Sequence, residues 1–164
     1  VVVNRLGNAD DWDARLGEGL GAHHRAVAAE DDEGLVIGAV AAGAKRVLVM
    51  KEPFRVSTSA IENLEIDASL EVIDVDARLD ANDTVRAAEA MRKAGCAALV
   101  VLGGDGTCRD VATGWPDAPL IAISTGTNNV FPTAVDGTTA GVAGSIAATI
   151  SGSVNSPCGV STSL

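Results

Sequence analysis

Apolar and polar positions along the chain alternate between two patterns, one typical of buried strands and one of amphipathic helices. Short apolar runs occupy residues 46–50 (RVLVM), 96–102 (CAALVVL) and 119–123 (PLIAI), and residues 1–4 and 70–75 are also strand-like. Uninterrupted apolar runs of this length are typical of strands that are covered on both faces of a sheet. The chain is therefore expected to contribute these segments to one sheet.

Helical periodicity occupies the stretches between the strands. The clearest helix is NDTVRAAEAMRKAG, residues 82–95, which Asn82 or Asp83 can cap at its start and Gly95 can end. Further helices are predicted at residues 34–43, 57–63 and 138–150. Strands that alternate with helices predict an α/β fold: an open, mostly parallel sheet with flanking helices.

The alternation continues to about residue 150, where the composition changes. Residues 151–164 (SGSVNSPCGVSTSL) are rich in Ser, Gly and Thr, which is typical of an unpacked tail or of a connection to a further domain. The prediction is one α/β domain over residues 1–150 and a tail or truncated connection over residues 151–164. A chain of 164 residues is long enough for one domain with a sizeable core, or for one lobe of a larger protein.

Charge and cysteine content exclude several classes of protein. The formal net charge of −10 argues against a nucleic-acid binder, because neutralising phosphates requires clustered Lys and Arg. No apolar run approaches the roughly 18 residues of a membrane span, and no signal-peptide pattern is visible. The 3 cysteines lack C-x-x-C spacing, which favours a reducing compartment. We expect a cytoplasmic protein that binds a small-molecule nucleotide and neither nucleic acid nor a membrane. A homo-oligomer is a further possibility, because a lone lobe would expose apolar surface that a second copy could cover.

Two glycine-containing turns follow two of the predicted strands, at the edge of a parallel sheet where ligands gather. Glycine leaves no Cβ between backbone N–H groups and a ligand, and a helix that starts near Gly106 would present unpaired N–H groups to an anion. A tight turn is the alternative, since the spacing matches neither the Walker A nor the dinucleotide pattern. The candidate phosphate-binding residues are Gly103, Gly104, Gly106, Thr107, Thr125, Gly126, Thr127, Asn128 and Asn129.

Asp105 does not fit simple anion binding. A carboxylate roughly 4 Å from a phosphate charge is repelled by about 4 kcal/mol at an effective dielectric constant of 20. Asp105 would be tolerated if it met Mg²⁺, or if it accepted a hydrogen bond from a substrate hydroxyl as a general base or orienting acceptor. Asp105 is therefore the candidate catalytic residue, and no set of metal-ligating side chains is predicted.

The motif VVLGGDGT resembles the GGDGT signature of the NAD kinase and diacylglycerol kinase superfamily, and PLIAISTGTNNVFP follows where those families carry a second glycine turn. The similarity extends over about residues 35–148 to the ATP-NAD kinase-like branch that includes acetoin-catabolism protein X. The resemblance implies an α/β nucleotide-binding lobe followed by a β-rich second lobe, with the active site in the cleft between them. The chain ends where that second lobe is expected.

The resemblance also implies a reaction. ATP or polyphosphate would donate a phosphate, Mg²⁺ would neutralise it, and a hydroxyl of NAD or a related small molecule would accept it near Asp105. The first turn would then lie beside the phosphates, and Gly126, Thr127 and Asn129 would match the second turn. The leading expectation is an ATP-dependent, NAD kinase-like phosphotransferase lobe; the alternative is a non-catalytic nucleotide-binding or assembly module that has lost its second domain.

Overall fold

The computed structural model describes residues 2–5, 32–51, 56–78, 80, 82–125 and 128–155. Within these ranges the strands form one open five-stranded sheet with the order β3-β2-β1-β4-β5, and every neighbouring pair is parallel. The predicted parallel α/β architecture is confirmed. The strands are β1 (Val2–Arg5), β2 (Arg46–Met50), β3 (Ser69–Ile73), β4 (Leu99–Gly103) and β5 (Leu120–Ser124).

Helices connect the strands and cover both faces of the sheet. They are α1 (residues 32–41), α2 (Val56–Ile61), α3 (Asn82–Lys93), α4 (Asp105–Gly114) and α5 (Gly137–Asn155). The predicted boundary at residue 150 falls inside α5, which continues for five more residues. Ser and Gly cost only about 0.5–1 kcal/mol each within a helix, so an established helix can extend through them. Residues 156–164 of the predicted tail lie outside the described ranges.

The helices α1 and α3 end in the same way, at a glycine with positive φ. Gly43 has a φ of 102° and Gly95 a φ of 77°. Beyond Gly95, the N–H of Cys96 donates to the carbonyl of Met91 at 3.1 Å, so the chain closes a Schellman turn that only glycine adopts without strain. The predicted end of α3 at Gly95 is confirmed.

The start of α3 differs from the prediction. Asp80, two residues before the helix, accepts a hydrogen bond from the N–H of Asn82 at 2.8 Å. Asp83 instead accepts the N–H of Arg78 at 3.0 Å and pairs with Arg86. The choice of Asn82 or Asp83 as the cap was therefore wrong, because the loop after β3 turns back over Asp83.

The sheet is buried on both faces at β2 and β4, which is why LVVL of β4 and VLVM of β2 are uninterrupted apolar runs. Successive residues of β4 point to opposite faces, as the pleat requires. Val100 and Leu102 pack with α1, α2 and α5, whereas Leu99 and Val101 pack with α3 and α4. Among the helices of the described ranges, none has the length and apolar content that a membrane crossing requires.

The backbones of α1 and α5 touch directly. A Cβ atom on Gly141 would lie 2.0 Å from the carbonyl oxygen of Leu35, and one on Gly38 would lie 2.2 Å from that of Thr138. Glycine is therefore required at both positions by packing. Gly141 lowers the helix propensity of α5, but it allows α5 to lie directly against α1.

The strand order creates a switch point at the centre of the sheet. From β1 the chain proceeds outwards to β2 and β3 on one side, and then returns to β4 and β5 on the other side. Adjacent connections therefore leave β1 and β4 in opposite directions, and a crevice opens at the carboxyl ends of these strands. Arg5 pairs with Leu102, so the turn after Gly103 lies at this edge.

Candidate functional site

The carboxyl end of β4 leads almost directly into α4. Gly104 is the N-cap residue, with extended backbone angles (φ −104°, ψ −175°) and no side chain to cap the helix. The N–H of Cys108 donates to the carbonyl of Gly104 at 3.1 Å, which is the first hydrogen bond of the helix. The N–H groups of Asp105, Gly106 and Thr107 precede this bond, as at any helix start. With the helix dipole, they favour an anion at this position.

The three glycines of this turn have different reasons for being glycine. A Cβ on Gly103 would lie 2.7 Å from the side chain of Thr107, and one on Gly104 would lie 2.9 Å from Oδ1 of Asn129. A Cβ on Gly106 would have no heavy atom within 4 Å among the described residues, and Gly106 has no positive φ. Packing explains the first two glycines, whereas Gly106 leaves open space at the start of α4.

The second turn lies against the first. The N–H of Thr125 donates to the carbonyl of Gly103 at 3.4 Å. Nδ2 of Asn129 donates to Oγ of Ser124 at 2.8 Å, which places the Asn129 side chain over Gly104. The parallel strands β4 and β5 thus bring both turns to one edge of the sheet.

The carboxylate of Asp105 binds the backbone just beyond the second turn. Its Oδ1 accepts the N–H of Phe131 at 2.9 Å and that of Val130 at 3.2 Å, and its Oδ2 accepts the N–H of Val130 at 3.0 Å. The hydrogen bonds from Phe131 and Val130 lower the pKa of Asp105 below its usual value. Asp105 is therefore ionised at neutral pH and holds the two turns together.

The remaining predicted site residues are placed as follows. Thr107 is half-buried beside Gly103, Thr125 and Asn128 are exposed, and Gly126 and Thr127 lie outside the described residues. The sequence reasoning missed the amides of Val130 and Phe131, because every residue except proline carries an N–H and no sequence signal distinguishes these two.

Cys108 follows the signature but lacks the environment of a reactive thiol. It is buried on α4, and burial together with the nearby charge of Asp105 raises its pKa. A raised pKa keeps the thiol protonated, so the helix start does not activate it.

The described residues contain no group of three or more His, Cys, Asp or Glu side chains that could hold a metal ion. Mg²⁺ in phosphate-transfer sites usually binds one or two carboxylates, substrate phosphates and water, so a dedicated cage is not needed. Asp105 is a carboxylate at the turn, and both of its oxygens accept backbone N–H groups.

A cavity of about 340 Å³ lies at the opposite edge of the sheet. Arg46 at the start of β2 and Cys96 just before β4 line it, with Thr149 of α5. The guanidinium of Arg46 is held by Glu71 at 2.7 and 2.8 Å and by the carbonyl of Ala94 at 2.8 Å. None of the predicted site residues lines this cavity; they lie at the carboxyl edge of the sheet instead.

An open parallel sheet with two glycine turns and a helix start at its switch point is typical of nucleotide-binding α/β domains. The family model for the ATP-NAD kinase N-terminal domain matches residues 36–153. The chain therefore belongs to the ATP-NAD kinase family, a family of kinase-type enzymes, and the resemblance stated from the sequence is confirmed.

A curated relative is "Acetoin catabolism protein X" of Cupriavidus necator, which is 39% identical over 124 residues. The match covers 70% of this chain and 34% of the relative, so the chain spans about a third of the length of the curated relative it matches. No solved structure matches the chain.

Proposed function

We propose that the chain is the nucleotide-binding lobe of an ATP-dependent kinase that phosphorylates a hydroxyl of NAD or of a related small molecule. The observation that carries this proposal is the meeting of the two glycine turns at the switch point of the sheet, with Asp105 between them. Membership of the ATP-NAD kinase family supports ATP as donor and NAD as the first acceptor to test.

The phosphates of the donor would lie at the start of α4. The N–H groups of Gly106 and Thr107 precede the first helical hydrogen bond, and the open space beside Gly106 allows a phosphate to approach the backbone. The hydroxyls of Thr107 and Thr125 are further donors at this edge. We call the start of α4, together with Thr125, Asn128 and Asn129, the phosphate cradle. In this proposal it would hold the phosphates of ATP or of polyphosphate alike.

Asp105 would accept a hydrogen bond from the acceptor hydroxyl with a lone pair that its backbone partners leave free. Its lowered pKa makes it a weak base, so its contribution is to orient the hydroxyl. Phosphoryl transfer has a loose transition state that depends mainly on positioning and on charge stabilisation, which suits such a residue. Mg²⁺ would supply neutralisation of the phosphate charge.

Two measurements on the protein test this proposal. The first is the melting temperature with ATP–Mg²⁺, ADP, NAD or NADP; a ligand at about 100 times its Kd adds roughly 2.7 kcal/mol, or a rise of about 5–10 °C. The second is the appearance of NADP from NAD with ATP–Mg²⁺ or polyphosphate as donor. We expect binding and transfer in the wild type, and both retained in Asp110→Asn, whose carboxylate pairs with its neighbour Arg109 on α4.

The outcomes separate the two candidate functions. Nucleotide binding with transfer supports the kinase. Nucleotide binding without transfer to NAD or to other small alcohols favours the non-catalytic nucleotide-binding module. Absence of a melting shift with every nucleotide would contradict both.

A further inference from the structure

We infer that Asp105 is a positioning residue: its carboxylate fastens the segment after the second glycine turn to the start of α4 and so sets the geometry of the phosphate cradle. The hydrogen bonds from the amides of Val130 and Phe131 to the Asp105 carboxylate carry this inference. It rests on the proposed function only for the identity of the ligand that the cradle holds.

Side-chain packing holds the segment after the second turn at Pro132, which is buried, but not at the two residues before it. The side chains of Val130 and Phe131 are 94% and 63% exposed, so neither anchors the segment in the core. Their amides instead donate to both oxygens of Asp105, across 25 and 26 residues of sequence. Just beyond, the N–H of Thr133 donates to the carbonyl of Ala122 at 3.1 Å. Among the described hydrogen bonds, those to Asp105 attach residues 130 and 131 to α4, and that of Thr133 attaches the following part of the segment to β5.

The position of Asp105 in its helix strengthens this attachment. It is the first residue of α4, where the helix dipole stabilises a negative charge. Hydrogen bonds from a backbone N–H to an ionised carboxylate are roughly twice as strong as neutral ones. An ionised Asp105 therefore stabilises the helix start and the attached segment together.

The same contacts explain how an aspartate is compatible with a phosphate site. Three N–H contacts from two amides delocalise and partly offset its charge, which reduces the repulsion that an isolated carboxylate would exert on a phosphate. They also point both carboxylate oxygens towards Val130 and Phe131. Besides orienting the acceptor hydroxyl, Asp105 thus fixes where residues 130 and 131 lie relative to Gly104 and Gly106.

Hydrogen exchange of the wild-type protein tests this inference without a variant or a ligand. The amides of Val130 and Phe131 are expected to be protected at least about ten-fold relative to an unstructured peptide, because each is hydrogen-bonded although its side chain is exposed. Exchange of both amides at the unstructured rate would overturn the inference.

Asp105→Asn tests the cause of that protection, with Asp136→Asn as the matched control. Asp136 also accepts a backbone N–H, that of Thr139 at 2.9 Å, at the start of α5. Asp105→Asn is expected to speed exchange at residues 130 and 131 by about ten-fold, since the neutral amide is a weaker acceptor. Asp136→Asn is expected to leave these two amides protected.

Steady-state kinetics then distinguish positioning from a role confined to the acceptor. A positioning role predicts that Asp105→Asn raises KM or Kd for ATP–Mg²⁺ as well as lowering kcat, because the cradle is displaced. Faster exchange with unchanged affinity for ATP–Mg²⁺ would overturn the inference, since the attachment would then not set the cradle. If the wild type binds no nucleotide, the proposed function fails, while the exchange measurements still decide whether Asp105 fastens the turn.

Discussion

Replacing Gly106 with alanine is expected to stabilise the protein and, at the same time, to weaken its binding of ATP–Mg²⁺. Gly106 lies in the first turn of α4 with no positive φ, and an added Cβ would have no heavy atom within 4 Å among the described residues. The fold therefore tolerates the methyl group. In the proposed site, however, that methyl group would occupy the space through which a phosphate approaches the backbone.

The two effects can be estimated separately. Alanine in place of glycine at a compatible helical position stabilises a protein by about 0.5–1 kcal/mol, chiefly by reducing the entropy of the unfolded chain. For a domain of this size that is a rise in melting temperature of about 1–4 °C. Loss of one charge-assisted hydrogen bond to a phosphate costs about 1.5–3 kcal/mol, so Kd should rise by about 10- to 100-fold.

Gly152 offers a matched control on α5. It too is helical, and an added Cβ would have no heavy atom of the described residues within 4 Å, but it belongs to neither glycine turn. Gly152→Ala is expected to raise the melting temperature by a similar amount and to leave Kd unchanged. The assays are thermal denaturation without ligand and titration calorimetry with ATP–Mg²⁺.

One result would refute the reasoning directly. If Gly106→Ala is stabilised and still binds ATP–Mg²⁺ with wild-type affinity, no phosphate approaches the start of α4 at that position. A similar loss of affinity in Gly152→Ala would show that the effect does not arise at the turn.

Three further predictions concern neighbouring features. Gly104→Ala places a Cβ 2.9 Å from Oδ1 of Asn129, so the amide must move from its serine partner, and the free energy of unfolding measured in urea should fall by about 1 kcal/mol. Gly141→Ala forces a methyl group to within 2.0 Å of the carbonyl oxygen of Leu35, so α1 and α5 must separate, and the same assay should show a loss of about 3 kcal/mol or more. The hydrogen bonds that lower the folded-state pKa of Asp105 stabilise the protein above the unfolded-state pKa of about 3.9, and this contribution is lost as pH falls through the lower folded-state value. The stability difference between wild type and Asp105→Asn should therefore be constant from neutral pH to about pH 5 and shrink below it, as urea unfolding across that range would reveal.

The sequence was sufficient where the signal is local. The apolar run of β4 predicts a strand buried on both faces because each of its residues must leave water, and Gly95 predicts the end of α3 because only glycine takes a positive φ there without strain. The GGDGT motif and the second glycine turn together indicated the family, since each is a contiguous stretch of sequence and the two follow in a fixed order. The local signal was weaker at the end of α5. Ser and Gly have low helix propensity, but adding a residue to a helix that has already formed is favourable enough for α5 to continue through them.

Tertiary structure decided what depends on residues far apart in the chain. The placement of β1 between β2 and β4, and with it the switch point, arises from pairing across about 45 and 97 residues of sequence. The partners of Asp105 are amides, which every residue except proline carries, so only the folded backbone selects them. The sequence likewise shows three glycines in the turn without saying why each is present. Close packing favours glycine at 103 and 104, while the space beside Gly106 is left open among the described residues, because neighbours brought close by the fold determine where a Cβ can fit.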